Sequence, residues 1–133
     1  MPVGDPVTVT VWEGNDAVIM ARVRFIDAEL ITIAAVNTIV RKTFDPQSNT
    51  PDVPLKTDSL VVADSVFDTL QTTALDARWT DDAEGYNFRD TIPGATHLLD
   101  GDKSYRIEYL VTPTSGNPFT IVAKVDTKNI RTS

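Results

Sequence analysis

The chain is predicted to fold as an all-β sandwich of about seven short, mostly antiparallel strands with little helix. Runs with a period of two in β-branched and aromatic residues recur along it, and clusters of Gly, Pro, Asn and Asp separate them. Strand-like runs never alternate with helical ones in the manner of a βαβ unit. At 133 residues, 41% hydrophobic and 23% charged, a single domain with a real core is expected.

The clearest pair of strands lies between Gly101 and Thr127. Tyr105, Ile107, Tyr109 and Val111 share one face against Ser104, Arg106, Glu108 and Leu110. After the turn Thr114-Ser115-Gly116-Asn117-Pro118, Phe119, Ile121, Ala123 and Val125 share a face against Thr120, Val122, Lys124 and Asp126. The apolar faces are assigned to the core.

Earlier elements follow the same logic. Pro6 to Trp12 alternates Val7, Val9 and Val11 with Thr8, Thr10 and Trp12, and Glu13-Gly14-Asn15-Asp16 supplies a turn. Ala17 to Ile26 reads as a second strand, with Arg22 and Arg24 marking its wet face. In Leu30 to Phe44, the Ile, Val and Thr content favours a short extended piece at Leu30 to Ile33 and a strand at Asn37 to Phe44. Asp45 to Asp58, with three prolines and no hydrophobic periodicity, is expected as a long loop. Leu60-Val61-Val62 and Ser65-Val66-Phe67 read as an edge strand or a strand and a turn. Thr69 to Ala77 has helical spacing, Tyr86 to Ile92 reads as a strand, and Pro93-Gly94 ends it.

Chemistry-bearing motifs are sparse. The chain has no cysteine, which removes disulfides, thiolate metal sites and cysteine nucleophiles. The lone histidine, His97, sits between two predicted strands with no nucleophile-elbow sequence nearby, and reads as a solvent-facing loop residue. Asp81, Asp82 and Glu84 form one carboxylate group. Asp100 and Asp102 flank Gly101 as in the start of a calcium loop, but no glutamate follows at the twelfth position, and Asp-Gly-Asp is also turn sequence. Neither a phosphate-binding glycine loop nor a dinucleotide fingerprint is present. No metal, no cofactor and no catalytic residue is therefore assigned.

The formal net charge of −7 is unevenly spread: −3 over residues 1 to 60, −7 over 61 to 102 and +3 over 103 to 133. An acidic middle and a basic end suit association between copies or with an acidic partner surface, the alternative being a solvated acidic face. Basic residues are not interleaved with aromatics, so nucleic acid is not expected as a partner. No apolar run approaches bilayer length, and Met1 to Trp12 lacks the basic and apolar regions of a signal peptide, so no membrane partner is expected and a soluble product made in the cytosol is. Most aromatics at strand spacing are assigned to the core, while Trp12 and Trp79, at strand ends, are the candidates for exposure.

The order of pieces resembles the immunoglobulin-like domains of tailed-phage virion structural proteins. Asn15 through Asp27 is similar to their opening strand. Trp79, Gly85-Tyr86-Asn87-Phe88 and the run Gly101 through Tyr105-Arg106-Ile107-Glu108-Tyr109 are similar to their later strands. Asp27-Ala28-Glu29 stands where those domains carry a glycine turn, and their Leu-Thr-Gly segment survives only as Leu30-Ile31-Thr32-Ile33. Tyr105 sits where a tyrosine-corner residue would, with no cysteine two positions on.

The resemblance implies an immunoglobulin-like β-sandwich and a non-enzymatic virion protein assembled in the host cytoplasm. Its length is closer to a capsid decoration or cement protein; a tail or baseplate adaptor is the alternative. Its partners would be phage capsid or tail proteins and further copies of itself. Contacts are expected through loops and termini, with Arg106, Lys124, Lys128, Arg131, Trp12 and Trp79 as the residues that touch a partner. A carbohydrate-binding or adhesion module using Trp12 or Trp79 is the reading from another functional class.

Overall fold

The computed structural model describes residues 7–12, 14–25, 29–80, 83–98 and 101–128. Eight strands run in the order β1 (Val7–Trp12), β2 (Ala17–Ala21), β3 (Val36–Phe44), β4 (Lys56–Leu60), β5 (Val66–Gln71), β6 (Tyr86–Ile92), β7 (Lys103–Pro113) and β8 (Phe119–Lys128). Two helical turns join them, α1 (Val62–Ser65) between β4 and β5 and α2 (Gly94–His97) between β6 and β7.

The strands form a five-stranded sheet, β1-β8-β7-β3-β4, packed on a three-stranded sheet, β2-β6-β5. All strand pairs are antiparallel except β1 with β8, which run parallel from Val7 beside Ala123 to Trp12 beside Lys128. This is the sheet order of an immunoglobulin sandwich: β2, β6 and β5 stand as B, E and D, and β3, β7 and β8 as C, F and G. β4 is added beyond C, and β1 lies on the G edge.

Alternation builds the core as the sequence indicates. Tyr105, Ile107, Tyr109 and Val111 of β7 and Ile121, Ala123 and Val125 of β8 are buried against Ala17 and Ile19 of β2 and Phe88 and Ile92 of β6. Phe119 is partly buried beside them. Tyr105 and Ile107 are both enclosed, at 2% and 0% exposure.

Three expectations are corrected. β2 ends at Ala21, where its pairing with β6 stops. Beyond it, buried Asn87 takes over from the ladder, accepting from Val23 N at 2.7 Å and donating to Val23 O at 2.9 Å. Thr69 to Ala77 is not helical. The chain stays in β5 through Gln71 and then turns, and the register with β6 slips between Val66 and Gln71, so β5 bulges outward. The proline-rich loop is shorter than its composition suggests, because β4 begins at Lys56. That loop is pinned by Asp45, which accepts from Gln47 N at 2.9 Å and from Lys103 Nζ at 2.9 Å, and by Leu55 N donating to Thr43 O at 2.7 Å. Lys124 and Lys128 both lie within β8.

Two glycines are fixed by close approach. A Cβ on Gly94 would stand 2.0 Å from Asn15 O, and one on Gly85, at φ +98°, would stand 2.5 Å from Gln71 O. The first marks the place where the β1–β2 turn docks on α2, with Gly94 N donating to Asp16 Oδ1 and Gly14 N to Leu98 O.

Candidate functional site

The outer face of the five-stranded sheet gathers most of the residues assigned to partner contact. The register sets Arg106 of β7 directly opposite Lys124 of β8, and Trp12 of β1 beside Lys128 of β8. Because directly paired residues project to the same side and a strand alternates sides, all four share the face turned away from the core. Trp12 is 51% exposed, with the Lys128 ammonium 5.9 Å from its ring centroid.

Like charges directly across a ladder repel. Here the repulsion is offset within each strand. Arg106 Nε lies 2.8 Å from Glu108 Oε2, an ionic contact without hydrogen-bond alignment, and Lys124 Nζ lies 3.7 Å from Asp126 Oδ1. Arg106 also stacks its guanidinium 4.7 Å from the ring centre of Phe44 on β3. Asp126 is fixed in turn by the Ser104 hydroxyl at 2.7 Å. Two rows along, beyond Glu108, Leu110 is exposed and is flanked in register by Val40 and Thr120. The result is an ordered surface of rows: aromatic with cation, then carboxylate, then paired cations, then Glu108 between Lys42 and Val122, then apolar. Such a surface can bind a large polar or acidic partner by burial and charge matching.

Trp79 does not join this face. It is only 5% exposed and packs on Tyr86 with ring centroids 5.6 Å apart, under the chain that follows β5, so the expectation of an exposed tryptophan there is corrected. Phe67 meets the same Tyr86 edge-on, and the Arg89 guanidinium lies 5.0 Å from the Phe67 ring centre. Together these residues make a small second core at one end of the three-stranded sheet. Arg131 lies outside the described residues, as do Asp81, Asp82 and Asp100.

Among the described carboxylates of the acidic middle, Asp76, Glu84 and Asp90 lie in ion pairs. Asp76 is held by Arg78, whose Nη2 lies 2.7 Å from Oδ2, by the Tyr86 hydroxyl and by Arg89 at 3.6 Å. Arg78 first and Tyr86 second, as hydrogen-bond donors, keep its carboxyl far below the usual carboxylate range. Glu84 lies 3.8 Å from Arg22.

A second constellation went unnoticed in the sequence, a polar chain running through the sandwich. Arg41, on the inner side of β3, donates from Nη1 to Asp90 Oδ1 and Oδ2 at 2.8 and 2.7 Å. The Tyr109 hydroxyl donates to the same carboxylate at 2.7 Å. Burial, then the charge and hydrogen bond of Asp90, push the Tyr109 hydroxyl well above its ordinary value. Burial by itself would lower the Arg41 guanidinium, but Asp90 outweighs it and raises it.

From Arg41 the chain continues at Nη2 to Asp58 Oδ2 on β4, 3.4 Å away, and that oxygen lies 2.8 Å from His97 Nε2. His97 is thus buried, not solvent-facing. Its other ring nitrogen lies 3.2 Å from Pro93 O. Each ring nitrogen of His97 thus already faces an oxygen. Among the described residues, no group of three or more His, Cys, Asp or Glu side chains is arranged to hold a metal ion.

Compared with protein-family models and with curated proteins, the chain has no match, and the resemblance to phage immunoglobulin-like domains rests on the residues given for it.

Proposed function

We propose that this domain is a non-enzymatic structural protein of a phage particle, a decoration or cement protein that attaches through the outer face of its five-stranded sheet. The observation that supports this most directly is the gathering of Trp12, Lys128, Lys124 and Arg106 on one exposed face. The burial of His97, with each ring nitrogen already opposite an oxygen, supports a binding role over a catalytic one. Attachment works by burial of Trp12 and Leu110 at the two ends of the face and by charge matching between them. Several copies associate over one symmetry position of the particle.

The test is co-sedimentation of purified protein with separated capsids and tails of the phage that encodes it. Wild-type protein is expected in the capsid pellet, with binding weakened by salt and reduced at least tenfold in the Arg106→Glu/Lys124→Glu variant. Wild-type levels of that variant in the pellet would remove the face from the reading. Sedimentation with tails alone would replace decoration by a tail or baseplate adaptor.

The carbohydrate-binding reading keeps one of its two tryptophans, since Trp12 is exposed and Trp79 is not. A shift of Trp12 emission on adding glycans, absent in Trp12→Phe, would favour it.

A further inference from the structure

We propose that β4 is a self-pairing edge: two copies of this chain join β4 to β4, antiparallel about a two-fold axis at Asp58, and so make one continuous sheet from two five-stranded ones. β4 is paired only with β3. The backbone N–H and C=O groups along its other side therefore have no ladder to complete, which makes them a template for a further strand. Exposed apolar side chains gather here, with Val53 and Leu55 ahead of the strand and Val61 just after it.

The sequence of β4 selects a second copy as the occupant. A two-fold axis at Asp58 sets Lys56 opposite Leu60 of the second copy, Thr57 opposite its Ser59 and Asp58 opposite its Asp58, so every residue of Lys56–Leu60 enters the ladder. Leu55 and Val61, the residues just outside the strand, then meet across the axis twice, and they are exposed by 51% and 63%. Thr57 and Ser59 pair with Lys42 and Val40 of β3, which puts them on the outer face, where hydroxyl pairs across the new ladder can bond. Asp58 turns to the other side, toward Arg41 and His97, and Lys56 shares that side by alternation.

Charge complementarity favours the same register. A lysine and an inward-pointing charge ordinarily guard an edge strand. Here the exposed Lys56 of each copy lies diagonal to Asp58 of the other, within reach of a long side chain. The two Asp58 carboxylates meet at the axis, but each already faces Arg41 at 3.4 Å and His97 at 2.8 Å in its own copy, and each gains the other copy's Lys56. A slip of two residues in either direction separates Leu55 from Val61 and leaves three strand residues of each copy in the ladder.

An edge of this length buries less than the roughly 1,200 Å² at which stable interfaces begin, so the dimer is weak in free solution. The axis stands perpendicular to the sheet, so both outer faces look the same way, and Trp12, Lys128, Lys124 and Arg106 of the two copies lie toward its far ends, since β1 and β8 are at the edge opposite β4. Copies held on one surface through that face would pair at high local concentration. The pairing itself does not depend on what the face binds.

The chain has no cysteine, so introduced thiols report the register. Full-length Thr57→Cys and Ser59→Cys proteins are mixed at high concentration and mildly oxidised. The mixed disulfide is expected in about tenfold excess over either homodimer, because positions 57 and 59 stand directly opposite each other. A predominant homodimer of either variant marks a slipped register, and that result, or no disulfide at all, overturns the proposal. For the cysteine-free protein, the sedimentation mass is expected to rise from monomer toward dimer between micromolar and millimolar concentration. Lys56→Glu, at an exposed position, sets like charges beside Asp58 of the second copy and is expected to weaken this association about tenfold. A monomer at every concentration, or unchanged association in Lys56→Glu, also overturns it. Capsid attachment is read separately, by the Arg106→Glu/Lys124→Glu variant.

Discussion

The Arg41 guanidinium on β3 grips both carboxylate oxygens of Asp90 on β6, at 2.8 and 2.7 Å, and so ties the five-stranded sheet to the three-stranded one through the middle of the core. Two charges taken out of water in this way return little net stability, but separating them is costly. Arg41→Met, which leaves the Asp90 carboxylate and the Tyr109 hydroxyl without their cation, is expected to cost about 3–5 kcal/mol in urea unfolding. Arg41→Met/Asp90→Leu is expected to cost less than that single change. Additive losses in the double-mutant cycle would mean that the pair is not coupled.

Gly94 fills the point where the β1–β2 turn meets α2. Gly94→Ala must push the backbone of Asn15 away, since the new Cβ would lie 2.0 Å from its carbonyl oxygen. A loss of about 2–3 kcal/mol is expected, together with weaker amide protection at Gly14, whose N–H bonds Leu98 O. Wild-type stability of this variant would show that the turn docks loosely.

The two tryptophans are expected to report opposite environments. Trp79→Phe leaves the emission of Trp12, red-shifted and quenched by iodide. Trp12→Phe leaves that of Trp79, blue-shifted and shielded. Removal of the buried ring by Trp79→Ala is expected to cost about 3–5 kcal/mol, while Trp12→Ala stays within about 0.5 kcal/mol of wild type. Equal quenching of both tryptophans would contradict their burial.

Asp76 gives the second core an acid limit. Its carboxyl is lowered by Arg78 and Tyr86, so its contribution is full above the ordinary carboxylate value of about 4 and is lost as pH falls through the lowered one. The difference in unfolding free energy between wild type and Asp76→Asn is expected to be largest near neutrality and to shrink steadily below about pH 4. A difference independent of pH would assign the effect to packing.

Much of the sandwich was legible because β7 and β8 are long and alternate cleanly, so Tyr105, Ile107, Ile121 and Val125 declare the core face. The edge strands were not. Lys56–Leu60, KTDSL, has one wall to bury and almost nothing apolar to bury there, and it follows three prolines, so it reads as loop. In β5 the bulge breaks the period of two, and Thr69 and Leu70 then fall at helical spacing with Thr73 and Ala74. Arg41 was invisible for a different reason. Alternation places an arginine outside by default, and only the partners on β4, β6 and β7, distant in sequence, allow it inside. The same holds for His97, whose partner Asp58 is 39 residues away. That Arg106, Lys124 and Lys128 turn away from the core was legible from the strand period alone, whereas at Trp79 a position at a strand end gave no sign that Tyr86 and Phe67 would enclose it.

The parallel pairing of β1 with β8 has a mechanical consequence. Tension on the chain ahead of Val7 and beyond Lys128 pulls these two strands past each other along their length. The hydrogen bonds between the six paired residues from Val7–Ala123 to Trp12–Lys128 are then loaded together in shear rather than opened one at a time. Rupture of that seam is a single concerted event, governed by an unfolding rate and not by the equilibrium stability of the fold. The domain is thus built to resist a pull along its own chain more than a peel from its free edge at β4.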